Sequence, residues 1–304
     1  MTQGITHNSD ALFEKKLLNI AKADGDFMTA IPALSVHRRS HITDPIPCIY
    51  ELGLAITISG RKQVTIGDEV LSYGKGQSLL ASVDLPVVAE VTEASEAQPY
   101  LGIMLRLNPD QIINIAAQVD LPKTSRKTKP KGFAQGTLDD TLFSAVKRLV
   151  VLLDEPKLIK TVAPLIQQEI IARLLVGQLG DSLLQLNANG TPHKQIATVI
   201  AWLKSNYAKS FDIDSLAQQA HMSPTTFRQH FKVVTGMSPL QYVKQLRLQE
   251  AKQLMLNQGL DVSTSGLRVG YESIPQFTRE YTRLFGESPS KNIKQLKAKL
   301  QEVR

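Results

Sequence analysis

Two stretches of the sequence, SPTTFRQHF at 223–231 and SIPQFTREY at 273–281, match each other in register. Phe227 corresponds to Phe277 and Phe231 to Tyr281, and a Gly-x-Ser-Pro sequence follows each stretch. Ser is a preferred helix N-cap, and Pro is tolerated in the first turn, where its missing N–H costs nothing. The repeat therefore predicts duplicated helix-turn-helix units.

Further helix signals surround both stretches. Asp212 and Asp261 are predicted to cap short helices, and Ser238-x-x-Gln and Ser273-x-x-Gln have the spacing of capping boxes. A long helix is predicted from 239 to near Gly259. The two helix-turn-helix units are placed at about 212–231 and 261–281.

The second helix of each unit is predicted to enter the major groove of DNA. Phe227 and Phe231, four residues apart, share the inward face, so the opposite face of the helix is available to contact DNA. Arg can bind guanine and Gln can bind adenine in a bidentate manner, whereas Lys suits phosphate. The predicted base contacts are Thr225, Arg228, Gln229, Gln276 and Arg279, and the predicted phosphate contacts are Ser223, Lys232, Ser273 and Arg283. An ordinary solvated helix face is the alternative for any one of them.

Positive charge is concentrated in the same region. The chain of 304 residues has a formal net charge of +7. Residues 193–304 hold 16 Lys and Arg against 8 Asp and Glu, whereas residues 1–192 hold 19 against 20. The carboxyl-terminal part alone is therefore suited to a polyanion.

A second basic segment precedes this part. Lys123 to Lys131 contains five basic residues and no acidic one. It is interpreted as a solvated connector, with a phosphate-contacting arm as the alternative.

The front half shows a different pattern, in which short runs rich in Val, Ile and Leu alternate with Gly, Pro and Asp. This pattern predicts an antiparallel sandwich or barrel over about 31–107. The strands are expected near 33–39, 47–58, 61–66, 69–73, 78–82, 87–92 and 99–107. Helices are predicted over 10–23, 138–154 and 157–180, with Thr137 as an N-cap. The last two either cover the sheet or pair subunits.

The sequence offers no support for catalysis or metal binding. His37 and His41 lie near the front of the sheet region, and none of the six His residues falls between 42 and 192. A metal-binding barrel needs clustered His and Glu ligands, so no metal and no cofactor are expected. No nucleophile elbow, phosphate loop or Cys-x-x-Cys is present, and no catalytic residue is assigned.

The single cysteine, Cys48, rules out an intramolecular disulfide and suits a reducing compartment. It is interpreted as a buried small residue, with a sensor of electrophiles or oxidants as the alternative. The amino terminus lacks the layout of a secretion signal, and no run approaches the roughly 18 apolar residues of a membrane span. A soluble, cytoplasmic protein without membrane contact is therefore expected.

The carboxyl-terminal motifs resemble those of the AraC/XylS family of bacterial transcriptional regulators. The residues that carry the resemblance are Leu216-Ala217, Met222-Ser223, Phe227, Phe231, Thr235-Gly236, Arg247-Leu248, Ala251, Val269-Gly270-Tyr271, Phe277 and Phe285-Gly286. In the front half, GRKQV at 60–64, GDE at 67–69, SVDLPV at 82–87 and PYL at 99–101 resemble the amino-terminal domain of one AraC-type subgroup. The resemblance thus covers nearly the whole chain.

The resemblance implies an α+β protein of two domains. Residues 1–186 would form a cupin-like effector or dimerisation domain, 187–192 a linker, and 193–304 an all-helical DNA-binding domain. Such a protein is a sequence-specific regulator and no enzyme, with double-stranded promoter DNA, a small-molecule effector and RNA polymerase as partners. Whether it forms a homodimer is left open.

In this family the two units enter successive major grooves, joined by a central helix, here about 239–257. The resemblance adds Ile274 and Pro275 to the base contacts, where apolar contact with thymine methyls would replace hydrogen bonds. Ser265-Gly266 departs from the family pattern, which usually has an apolar residue and Ala. Because Gly inside a helix costs about 1 kcal/mol relative to Ala, a less rigid second unit is expected.

Two other classes remain as alternatives. A cupin-type enzyme with an accessory DNA-binding tail would contain metal after purification. A sequence-neutral architectural protein would bind promoter and random DNA with similar affinity at matched salt.

Overall fold

The computed structural model describes residues 3–120, 131–184 and 190–302. A helix-flanked sandwich of two antiparallel sheets comes first in the chain, and a wholly helical part follows. Half of the linker at 187–192 and nearly all of the basic segment at 123–131 fall outside the described residues, which resume at Gly190 and Lys131.

The strands build two sheets. They are β1 (Gly25–Met28), β2 (Leu34–Arg39), β3 (Ile46–Tyr50), β4 (Gly53–Ser59), β5 (Arg61–Ile66), β6 (Glu69–Gly74), β7 (Gln77–Ala81), β8 (Leu85–Glu93), β9 (Tyr100–Arg106) and β10 (Phe133–Thr137). The six-stranded sheet has the order β1-β2-β9-β4-β7-β10, and the four-stranded sheet has the order β3-β8-β5-β6.

The strand predicted over 47–58 is wrong as a single element, because β3 and β4 belong to different sheets. The chain changes sheet at 51–52. Gly53 begins β4 so close to β9 that a Cβ there would lie 2.6 Å from the carbonyl oxygen of Leu105. This crossing is one of several points at which the chain passes from one sheet to the other.

The helices of the front half are α1 (Gln3–Ile20), α2 (Pro109–Ala116), α3 (Asp140–Val151), α4 (Pro156–Val176) and α5 (Gly180–Leu184), with a 3₁₀ turn at Leu152–Asp154. Helices α1, α3 and α4 bury one face against the outer side of the six-stranded sheet. The two long predicted helices thus cover the sheet. Strands β1 and β10 and helices α2 and α5 were not predicted.

The prediction that Thr137 caps α3 is wrong, because Thr137 is the last residue of β10. Asp139 is the cap: its carboxylate accepts hydrogen bonds from the backbone N–H groups of Thr141 and Leu142, at 2.9 and 2.8 Å. A carboxylate also interacts favourably with the positive end of the helix dipole.

The helical part comprises α6 (Pro192–Asn206), α7 (Ile213–Gln219), α8 (Pro224–Thr235), α9 (Pro239–Asn257), α10 (Val262–Arg268), α11 (Ile274–Phe285) and α12 (Pro289–Glu302). Helices α7–α8 and α10–α11 form the two helix-turn-helix units, and α9 joins them. No helix within the described ranges is long and apolar enough to cross a membrane.

Candidate DNA-binding interface

The first recognition helix, α8, is held by its aromatic face. Phe227 and Phe231 are fully buried, and Phe231 packs edge-on against Tyr242 of α9, with ring centroids 5.5 Å apart. Ser223 accepts a hydrogen bond from the N–H of Thr226, and Gly236 ends the helix with φ of +77°. Both ends were predicted, and both predictions are confirmed.

The predicted DNA contacts of the first unit share the opposite face of α8. The exposed residues there are Ser223, Thr225, Arg228, Gln229 and Lys232. The helix thus presents one hydroxyl-rich end and two cations to solvent, while its apolar face is buried in the core.

The second recognition helix, α11, repeats this arrangement. Phe277 and Tyr281 are fully buried, and Phe277 packs against Tyr271 with ring centroids 5.3 Å apart. The predicted contacts Pro275, Gln276, Arg279 and Arg283 are exposed, whereas Ser273 and Ile274 are half-buried. The Ile274 side chain lies beside Gly266 of α10, so only part of it faces outward.

One of the two predicted capping boxes is confirmed and the other is incomplete. Ser238 and Gln241 exchange both hydrogen bonds at the start of α9. At the start of α11, Ser273 accepts from the N–H of Gln276 at 3.4 Å, but the Gln276 amide donates to Glu280 at 3.2 Å. Glu280 thereby orients a side chain that is predicted to contact a base.

Glu280 also fixes α11 to its neighbours. It accepts hydrogen bonds from the Lys244 ammonium and the Tyr271 hydroxyl, both at 2.8 Å. Burial raises the pKa of the Glu280 carboxyl, but these hydrogen bonds more than offset it and hold the pKa below its usual value. No role was predicted for Glu280 from the sequence, because an acidic residue on a DNA-reading helix carries no obvious signal.

Arg247 of α9 joins the two units. Its guanidinium donates to the backbone carbonyls of Tyr207, Gly270 and Lys209, at 2.7, 3.0 and 3.0 Å. Tyr207 and Lys209 precede the first unit, and Gly270 lies in the turn of the second. Arg247 is one of the residues that carry the family resemblance, but the sequence alone does not give the positions of the carbonyls that it binds.

The departure at Ser265-Gly266 has a packing explanation. A Cβ on Gly266 would lie 3.0 Å from the Phe277 ring, so α10 and α11 approach closely at this glycine. Ser265 is also fully buried, and its hydroxyl has no hydrogen-bond partner among the described residues. The close approach offsets part of the cost of the glycine, whereas the buried hydroxyl is a local defect.

We expect Ser265→Ala to raise the free energy of unfolding by about 1 kcal/mol, because it removes an unsatisfied buried hydroxyl and favours the helix. Chemical denaturation with urea would measure the change. Ser263→Ala, at an exposed position of the same helix, is the control for helix propensity. An increase no larger than that of the control would contradict this interpretation of Ser265.

The first unit packs against the sandwich. The Gly132 N–H donates to the carbonyl of Val234 in α8, and the Tyr242 hydroxyl donates to the carbonyl of Asp84, both at 2.9 Å. Lys204 of α6 forms ion pairs with Glu51 at 2.7 Å and Asp84 at 2.6 Å. The two parts of the chain therefore share one continuous core.

This contact places the β5–β6 turn beside α8. A Cβ on Gly67, whose φ is +59°, would overlap the carbonyl oxygen of Gly236. Arg228, Gln229 and Lys232 line a cleft whose other wall includes Asp68 and Glu69. Lys232 and Asp68 approach to 3.8 Å. Lys131, the described end of the basic segment, pairs with Glu69 at 2.6 Å.

A separate cavity of about 310 Å³ lies inside the sandwich. Cys48 lines it, and burial raises the pKa of the Cys48 thiol, which disfavours the reactive thiolate. Within the part of the chain that the structure describes, no group of three or more His, Cys, Asp or Glu side chains could hold a metal ion.

The architecture defines a two-part protein in which a sandwich domain accompanies paired helix-turn-helix units. A family model for the AraC-type transcriptional regulator N-terminus matches residues 30–182, and a helix-turn-helix domain model matches residues 216–295. The chain belongs to the AraC/XylS family: it is an AraC-type transcriptional regulator with a carboxyl-terminal helix-turn-helix DNA-binding domain.

Known relatives agree with this assignment. The HTH-type transcriptional activator RhaS of Escherichia coli strain SE11 is 25% identical over 152 residues, which are 50% of this chain and 54% of RhaS. RhaS of Pectobacterium atrosepticum is 25% identical over 122 residues, or 40% of this chain and 43% of that protein. The chain thus spans about half the length of the curated relatives it matches.

A solved structure shows the same fold. ToxT from Vibrio cholerae O395, bound to (E)-4-(8-methylnaphthalen-1-yl)but-3-enoic acid, superposes with a TM-score of 0.61 at 11% identity. The match covers 86% of this chain and 97% of ToxT. At this identity, the likeness concerns the fold.

Proposed function

We propose that the two recognition helices read base pairs in two successive major grooves of one promoter site. The observation that carries this proposal is the matched pair of helices with buried aromatic backs and exposed fronts. Arg228 and Gln229 would bind bases in the first groove, and Gln276 and Arg279 in the second. Thr225, Ile274 and Pro275 are further proposed base contacts.

Phosphate contacts would fix the position of each helix on the duplex. Ser223 and Lys232 serve the first unit in this proposal, and Ser273 and Arg283 the second. The DNA-binding domain is proposed to span 193–304, the effector domain 1–186 and the linker 187–192.

Arg228→Ala should lower the affinity by about 1–3 kcal/mol at one base position and relax the preference there. Lys232→Ala should weaken binding to all sequences alike and reduce the salt dependence, because a phosphate contact carries no sequence information. Binding-site selection with each variant, followed by titrations at several salt concentrations, measures both effects. An unchanged base preference in Arg228→Ala would refute the contact assignment.

The sandwich domain is proposed to restrain the first unit. In the described arrangement, the β5–β6 turn stands next to the proposed base-reading residues, and Asp68 lies near Lys232. A duplex entering this cleft would bring its phosphates toward Asp68 and Glu69, which repel them. DNA binding by both units would therefore require the turn to move away from α8.

The remaining partners are proposed from the family and from surface features. A small organic effector would act through the sandwich domain, as the ligand-bound ToxT structure suggests. Leu158 and Leu165 of α4 are exposed and seven residues apart, so they share one helix face that a second subunit could cover. Contact with RNA polymerase and the lack of enzymatic activity are proposed from the family alone.

A further inference from the structure

The interior wall of the sandwich carries a lysine, Lys62, that forms no ion pair with any residue the structure describes. Lys62 lies on β5 in phase with Val64 and Ile66, which are buried between the sheets. Its ammonium stands 5.3 Å from the centre of the Tyr50 ring and 5.9 Å from the centre of the Tyr100 ring. Both tyrosines and Lys62 line the 310 Å³ cavity.

The other basic side chains around this cavity already have acidic partners. Arg39 and His37 both bind Asp26 at 2.7 Å, and Arg106 pairs with Glu51 at 3.3 Å. Burial raises the pKa of Asp26, but the bonds to His37 and Arg39 outweigh it and keep the carboxyl ionised. Among the described residues, Lys62 has no carboxylate within ion-pair distance.

The remaining acidic residue that lines the cavity, Glu90, is hydrogen-bonded to a neighbouring strand and not to Lys62. Glu90 on β8 is cross-strand to Gln63, one position out of phase with Lys62, and the Gln63 amide donates to Glu90 at 2.6 Å. Glu90 therefore belongs to the outer face of the four-stranded sheet. The inner wall keeps one ammonium with aromatic rings as its close neighbours.

The rest of the cavity is suited to an apolar body. Ala33, Ala89, Val91 and Met104 contribute to its walls, and the exposed Met28 and Ile46 stand at the lining strands β1 and β3. Its volume lies near the lower end of the roughly 300–1,000 Å³ of small-molecule sites. A cavity of this size can hold a compound of one or two rings.

From this geometry, we propose that the cavity binds a small organic acid, with the Lys62 ammonium holding its carboxylate and the apolar wall holding its body. A cation in a partly desolvated site gains most from an anion that enters with an apolar group, because the pair forms away from bulk water. This inference rests on the proposed role of the sandwich as effector domain and names the ligand class.

The site is connected to the DNA-binding part through β3. Cys48 and Tyr50 of this strand line the cavity, and α9, which joins the two units, packs against β3 and β8. Helix α11 also contacts β3. A ligand that shifts β3 would therefore act directly on α9, which joins the two units, and on α11, the second recognition helix.

The test uses the full chain and isothermal titration calorimetry with benzoate, phenylacetate and cinnamate, each compared with its neutral primary amide. We expect at least one acid to bind, its amide to bind at least tenfold more weakly, and Lys62→Met to remove most of this difference. Lys75→Met, which removes an exposed lysine on the β6–β7 turn, is the control and should bind as the wild type does.

Three results would overturn the proposal: no acid binds, acid and amide bind equally, or Lys62→Met retains the preference for the acid. If Lys62→Met does not fold, as judged by thermal unfolding, Lys62→Arg and the acid–amide comparison on the wild type decide the question. Titration with DNA is a separate measurement. Ligand binding without DNA selectivity would refute the proposed function alone, and DNA selectivity without ligand binding would refute only the ligand class.

Discussion

Replacing Arg247 with Met should lower the affinity for a selected DNA site about 100-fold and the free energy of unfolding by about 3 kcal/mol. The substitution removes three charge-assisted hydrogen bonds to backbone carbonyls, each worth about 1.5–3 kcal/mol and not fully additive. The DNA affinity should fall by more than the loss of one contact would predict. Two recognition helices that are held at a fixed spacing bind one site together more tightly than two that move independently.

Fluorescence anisotropy with a labelled site and urea denaturation measure these two effects. Arg268→Met is the control, since it removes an exposed cation from the same domain and, among the described residues, breaks one hydrogen bond of 3.3 Å to Gln258. Arg247→Lys keeps the charge but cannot reach three carbonyls at once, so it should resemble Arg247→Met. If Arg247→Met and Arg268→Met weakened DNA binding equally, Arg247 would contribute charge alone.

Replacing Gly67 with Ala should raise the DNA affinity of the full chain about 100-fold, near the upper end of the range of roughly 5- to 150-fold typical of coupled sites. The added Cβ would overlap the Gly236 carbonyl. The Cβ has no rotatable bond to move it away and the carbonyl is backbone, so the contact cannot relax by a side-chain movement. Loss of the contact should free the cleft beside α8 and increase the radius of gyration in X-ray scattering.

Gly76→Ala is the matched control for this experiment. Its φ of +76° imposes a comparable left-handed strain in the β6–β7 turn, but nothing lies within 4 Å of the added Cβ. Gly132→Ala should raise the DNA affinity in the same way, because its added Cβ would lie 2.6 Å from the carbonyl oxygen of Val234. Gly132 does not have a positive φ, so this variant adds no left-handed strain. Equal DNA affinities in Gly67→Ala and Gly76→Ala would show that the sandwich does not restrain the first unit.

The helical part could be predicted closely from its sequence because each boundary there is set by local chemistry. Asp212, Ser223, Ser238 and Asp261 all cap the helices that their spacing predicts. Aromatic residues four apart identify the buried faces of α8 and α11. The opposite face of each helix is therefore the exposed one.

The sandwich was predicted less completely, for one local and one non-local reason. β10 reads FAQGT and β1 reads GDFM, so neither shows the apolar alternation that identifies a strand. Each is an edge strand held by one neighbour. The division between β3 and β4 depends on which sheet each strand joins, which is a non-local property.

Apart from Glu280, the functional features that the sequence missed depend on contacts between distant segments. Arg247 acts on carbonyls whose positions follow from the placement of two turns. The β5–β6 turn meets α8 across about half of the chain. Lys62 belongs to the GRKQV motif at 60–64, yet its contact with Tyr100 requires the two sheets to face each other.

The most direct test of the account is a binding-site selection with the wild-type chain. We predict two clusters of constrained base pairs on one face of the duplex, separated by about 10–10.5 base pairs, since the two helices should enter successive major grooves. A single cluster, or a selected pool no different from random DNA, would contradict the claim that the paired helices read one site together.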